Sequence, residues 1–90
     1  MREDQSVQQL LGRLLDAASS VFTEEEKQEV REFLDANENL LALETIVGIF
    51  VEEHKTVPSE VLHLAEEVIN AMSIAGRHLV RLLKESVNTK

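Results

Sequence analysis

The sequence predicts an all-α fold, a compact single-domain bundle of four to five helices, and three observations carry that expectation. Apolar residues recur at i, i+3, i+4, i+7 spacing along most of the chain, the period of an amphipathic helix. One proline and three glycines are spread over 90 residues, so punctuation is sparse and loops are short. The composition is 43% hydrophobic and 29% charged, a globular balance rather than a disordered one. With three Phe and neither Tyr nor Trp, the core must be mainly aliphatic. The length suits one domain, spanning residues 1–90.

The elements follow in order. Val7, Leu10, Leu11, Leu14, Leu15 and Ala18 form the apolar stripe of a first helix. Ser6 with Gln9 fits a capping box at its start, and Ser19-Ser20 fit its end. Thr23 with Glu26 makes a second capping box, and Glu24-Glu25-Glu26 suit the positive end of the second helix dipole. Val30, Phe33 and Leu34 face inward there, and Asn37 ends the helix because Asn tolerates the left-handed conformation. The third segment, Leu40 to Val51, is apolar on nearly every side, which places it at the bundle centre. Glu44, Gly48 and Glu52 interrupt it along one i, i+4, i+8 stripe. Pro58 suits the first position of a fourth helix, whose buried face is Val61, Leu62, Ala65, Val68, Ile69 and Met72. Ser73 or Gly76 punctuates, and Leu79, Leu82, Leu83 and Val87 line a fifth helix.

Composition and charge exclude several classes of function. Without cysteine there are no disulfides, zinc thiolates or cysteine nucleophiles. The N-terminal stretch has no apolar h-region, and no run approaches the ~18 apolar residues of a membrane span, so the cytoplasm is the expected compartment. The net charge of −8 is uneven: residues 1–73 carry 16 acidic and 5 basic side chains, and residues 74–90 carry 1 and 4. Such a chain is repelled by nucleic acid and by anionic membranes, and attracted to a basic protein.

Motifs for chemistry are weak. Asp35-Ala36-Asn37-Glu38-Asn39 resembles the opening of a calcium loop, but Leu40 and Ile46 stand where Gly and Glu are needed. His54, His63 and His78 have no metal-ligand spacing. Ser59 follows Pro58 and lacks the Asp-Ser-Leu setting of a carrier protein's modified serine. Neighbouring pairs such as Glu52-Glu53 and Glu66-Glu67 point about 100° apart on a helix and are not expected to share a site. Catalysis, a metal and a cofactor are therefore not expected. Arg77, Arg81 and Lys84 form a basic stripe that suits the bundle's own acids better than nucleic acid.

The acidic surface remains. Opposite Val30, Phe33 and Leu34, the second helix carries Glu25, Gln28, Glu32 and Asp35, flanked by Glu24 and Glu29. The pairs 25/29, 29/32 and 32/35 are like-charged at helical neighbour spacing, each costing a few tenths of a kcal/mol. The plain alternative is a solvated face, but solubility is served as well by interspersed signs. The candidate partner-binding residues are Glu25, Glu29, Glu32 and Asp35, with Glu52 and Glu53 in second line.

The stretch Asn37-Glu38-Asn39-Leu40-Leu41-Ala42-Leu43-Glu44, followed by a helix, a Pro-initiated helix and Ala71-Met72, resembles the Maf-type immunity proteins (MafI family) and the related CdiI-type immunity proteins of bacterial contact-dependent growth inhibition. Glu38, Leu41, Ala42, Leu43 and Glu44 match the family core, and Asn37 stands where the family usually has Gly. Both residues accept a left-handed turn. The resemblance covers roughly residues 23–73. It implies a cytoplasmic protein that binds and neutralises a cognate polymorphic toxin domain, often a nuclease. The match itself does not make Glu38 or Glu44 a contact residue: from its position Glu38 is expected to serve the start of the third helix, and Glu44, on the stripe with Gly48 and Glu52, either to hold two helices together or to face the toxin. Two other readings stand beside it: a homo-oligomeric scaffold pairing through the third and fifth helices, and a carrier or enzyme subunit.

Overall fold

The computed structural model describes residues 2–72 and 77–88, with side chains described for 6–72 and 78–85. Among them the chain forms five α-helices: α1 (Arg2–Ala18), α2 (Glu24–Asp35), α3 (Asn39–Glu52), α4 (Ser59–Met72) and α5 (Arg77–Asn88). The all-α bundle expected from periodicity is the fold observed. No helix among the described residues is long and apolar enough to cross a membrane.

Packing is organised around two pairs. α1 lies most extensively against α4, and α2 against α3, while α3 also meets α5 and α1. One buried cluster runs through all five helices, from Val7, Leu11 and Leu14 through Val30, Ile46 and Phe50 to Val61, Val68 and Leu83. No described polar or charged residue is buried in it. Phe22, in the α1–α2 turn, meets Phe50 with ring centroids 5.0 Å apart and planes tilted by 49°, a geometry that aromatic quadrupoles favour.

Local chemistry sets the helix ends. Thr23 caps α2 with both halves of the capping box: the Glu26 N–H donates to Thr23 Oγ1 at 3.1 Å, and the Thr23 N–H donates to Glu26 Oε1 at 2.9 Å. At the other end Asn37 takes φ 62°. Its N–H donates to the Leu34 carbonyl, and the Glu38 N–H to that of Phe33, the paired bonds of a Schellman motif. α3 ends in the same way. His54 takes φ 54°, its N–H donates to Val51, and the Lys55 N–H donates to Phe50. Only residues 36–38 separate α2 from α3, so the two pack as an antiparallel pair. The Gln8 side-chain amide braces that corner from α1, sharing its nitrogen among the Leu34 carbonyl, Asn37 Oδ1 and Asn39 Oδ1 at 2.7–3.1 Å.

Several boundaries differ from expectation. α1 begins at Arg2, so Ser6 lies inside the helix and its box with Gln9 is not a cap. Pro58 precedes α4 instead of opening it, its carbonyl accepting from Val61 at 3.0 Å and Leu62 at 3.3 Å. α3 is central but not buried all round, because Leu40 and Leu41 in its first turn are exposed. On α5 Leu79 and Leu83 are buried while Leu82 is exposed; Leu64 joins the α4 core in addition to the expected stripe. The Ser73 or Gly76 break lies outside the described residues, as does the Val87 side chain.

Candidate acidic interface

α2 and α3 enclose an open groove of about 420 Å³ lined by Glu26, Glu29, Leu41, Glu44, Thr45, Gly48, Ile49, Glu52 and Glu53. The short Schellman corner holds the two helices side by side. α2 turns Glu26 and Glu29 toward α3, and the Glu44–Gly48–Glu52 stripe of α3 faces them.

The sequence candidates divide here. Glu29, Glu52 and Glu53 come together in the groove. Glu25, Glu32 and Asp35 are exposed on α2 and do not line it. Of the four α2 candidates, Glu29 alone lines the groove. Glu52 and Glu53, expected to diverge, line the same groove. α3 ends at Glu52, with Glu53 as its C-cap, and the depression is wide enough to take both. Glu66 and Glu67 do diverge: Lys84 Nζ lies 3.3 Å from a Glu66 oxygen, and His63 Nε2 lies 3.0 Å from a Glu67 oxygen. Lys84 of the basic stripe thus meets one of the bundle's own acids. Arg81 lines the α4–α5 depression, and the Arg77 side chain lies outside the described residues. Glu38 stands at the N-cap of α3 without a side-chain capping bond.

Two glutamates in the first turn of α2 are engaged. The Thr23 backbone N–H holds the Glu26 carboxyl below its ordinary pKa, with Lys55 adding to the effect and partial burial opposing it. Lys55 Nζ sits 3.3 Å from Glu26 Oε1. On the exposed side of α2, the Lys27 ammonium hydrogen-bonds to Glu24 at 2.9 Å, and that bond and its charge lower the Glu24 pKa. Among the described residues, Glu29, Glu44, Glu52 and Glu53 have no basic partner within ion-pair distance. Nor do three or more acidic or histidine side chains converge closely enough anywhere among those residues to hold a metal ion.

The groove floor is partly apolar. Leu41 is 42% exposed, Ile49 is half-buried, and the Thr45 hydroxyl donates to the Leu41 carbonyl at 2.7 Å. A Cβ built on Gly48 would meet nothing within 4 Å. Glycine inside a helix costs roughly 0.5–1 kcal/mol relative to alanine, and packing within the chain does not require one here. The Glu44–Gly48–Glu52 stripe was legible from spacing. What spacing did not give was that Glu26, Glu29 and Leu41 face it, because that depends on the α2–α3 docking.

No family model, curated protein or solved structure matches this chain.

Proposed function

We propose that this chain is an immunity protein: a cytoplasmic, non-catalytic binder that neutralises a basic toxin domain, of nuclease type, in a one-to-one complex. The observation that carries the reading is the α2–α3 surface, where Glu29, Glu44, Glu52 and Glu53 stand without basic partners among the described residues around an exposed leucine. A nuclease attracts phosphate with a basic surface, and an inhibitor that covers that surface does so best with opposite charge. Glu25, Glu32 and Asp35 extend the acidic field along exposed α2. The likeness to Maf-type immunity proteins over roughly residues 23–73 supports the same reading; at its departure, Asn37 where the family usually has Gly, the chain still takes a left-handed turn.

Changing Glu25, Glu29 and Glu32 together to Lys tests it. The variant should keep its helical circular dichroism and lose roughly 2 kcal/mol or more of binding to the toxin domain. Full protection of toxin-exposed cells by this variant would remove the α2 face from the interface.

The homo-oligomer reading draws on exposed Leu40, Leu41 and Leu82 of α3 and α5. Facing copies of the α3 surface would bring glutamates together around Leu41, which opposes self-pairing. A stable dimer in sedimentation at micromolar concentration, with no affinity for basic domains, would reverse that preference.

A further inference from the structure

We propose that α2 is a strap: between Phe22 and Asn39 the chain undocks and melts as a unit while α1, α3 and α4 keep their packing. The inference concerns the fold and is independent of what the partner is.

Burial is unevenly shared. α2 buries Val30 alone, whereas α3 and α4 bury five residues each. Phe33 and Leu34 of α2 are only half-buried against the core. α2 rests chiefly on α3 and lightly on α1, while the rest of the bundle is closed by α1 against α4 and by α3 against α5 and α1. Those seams do not involve α2, so they survive its departure. Like charges at 25/29, 29/32 and 32/35 repel along its outer face. A helix of 12 residues is marginal in water without tertiary packing, so once undocked it melts.

Both ends are hinged and tied. Phe22 stays in the core on Phe50, with ring centroids 5.0 Å apart, and Thr23 beyond it is extended. Asn37 turns left-handed just before α3 begins. At the first end Lys55 Nζ, from the corner after α3, lies 3.3 Å from Glu26 Oε1, both side chains being largely covered. At the second the Gln8 amide of α1 donates to the Leu34 carbonyl and to Asn37 Oδ1, each at 3.1 Å. A helix with one buried residue and a polar tie at each end belongs to the low-stability units of a fold. The groove that sets Glu26 and Glu29 against the α3 stripe exists only while the strap is closed.

Amide hydrogen exchange on the full, isotope-labelled chain tests the strap, under conditions where rates report opening equilibria. The hydrogen-bonded amides of α2, Gln28 to Asp35, should share one protection level, at least about tenfold below that of Ile46, Val47 and Phe50 in α3 and of Ala65 and Val68 in α4. Ile69 lines the α4–α5 depression, which stays packed in the open form. Ile69→Val should therefore speed exchange in α4 about fivefold and leave α2 unchanged. Gln8→Ala removes a tie that is lost in the open and the unfolded forms alike, so it should speed α2 and α4 by one common factor, about fivefold. The strap is overturned if α2 is as protected as α3 and α4, or if Ile69→Val speeds α2 as much as α4, since α2 then opens only with the whole fold. It is also overturned if Gln8→Ala changes only the last turn of α2, since the helix then frays at its end. None of these outcomes bears on the immunity reading, which the triple lysine variant tests with the toxin domain.

Discussion

Two residues show how the turns that shape the acidic surface are held. Asn37 and His54 both adopt left-handed φ, 62° and 54°, and both follow a helix C-cap in a Schellman motif. The left-handed conformation costs an L-residue roughly 1–2 kcal/mol, less for Asn, whose short polar side chain can bond locally. Asn37 is held in addition by a long-range bond, its Oδ1 accepting from the Gln8 amide of α1 at 3.1 Å. His54 has no hydrogen bond or ion pair through its side chain among the described residues. His54→Gly should therefore raise unfolding stability by about 1 kcal/mol, measured by denaturant titration, and Asn37→Gly should gain less because it gives up the Gln8 bond. Equal gains would show that the Gln8 brace contributes nothing. Asn37 was legible as a stop signal because Asn is a known occupant of that position. His54 was not, although histidine too is enriched at left-handed φ, because the apolar pattern before it marks no break in the helix at that position.

At the scale of the helix, α2 depends on its first turn. Its outer face repels itself, and its inner face buries only Val30 fully. The Thr23–Glu26 box and the Lys55 pair anchor it. Because Glu26 is ionised more readily in the folded chain than its ordinary value of 4.5, its contribution is fully present above that value and lost as pH falls through the lower folded one. A thermal melt series from pH 6 downward should show a loss of stability in acid. Glu26→Gln, which keeps a box-competent acceptor, should flatten that loss. If the slope with pH is the same in both chains, the acid response comes from elsewhere. Periodicity and capping rules located α2 through α4 well, because their signals are local: a Thr-x-x-Glu, an Asn, a Pro. They failed at α1, where Ser6 offers a cap but the preceding Arg2–Gln5 continue the helix, and at Leu40, Leu41 and Leu82. Those three sit at helical spacing yet remain exposed, since which side of a mostly apolar helix meets a neighbour is decided by the whole bundle.

Over the whole molecule, charge and packing are separated. The buried cluster contains no described polar side chain, so the charges of the described residues lie outside the core; the chain as a whole carries −8. Attractions to set against it include the half-buried pair Glu26–Lys55 and the more exposed pairs Glu24–Lys27 and Glu66–Lys84. Exposed pairs of this kind contribute roughly 0–1 kcal/mol each. The like-charged neighbours on α2 oppose folding by a few tenths of a kcal/mol each, and Glu44, Glu52 and Glu53 add to them from α3. With 17 acids against 9 bases, repulsion outweighs attraction. Salt shortens the Debye length from about 10 Å at 0.1 M to about 3 Å at 1 M, so sodium chloride should raise the melting temperature of the free chain. Relief of about 1 kcal/mol corresponds to roughly 4–8 °C for a domain of this size. The complex proposed above should respond in the opposite direction, its association rate falling over the same range, because on that proposal the charges that strain the free protein are those that draw in a basic partner. A chain carrying Glu25→Gln, Glu29→Gln and Glu32→Gln should melt higher at low salt, gain less from added salt and associate more slowly. A fall in melting temperature with sodium chloride would mean that the surface pairs outweigh the stacked glutamates, and that the acidic face holds no repulsion for a partner to relieve.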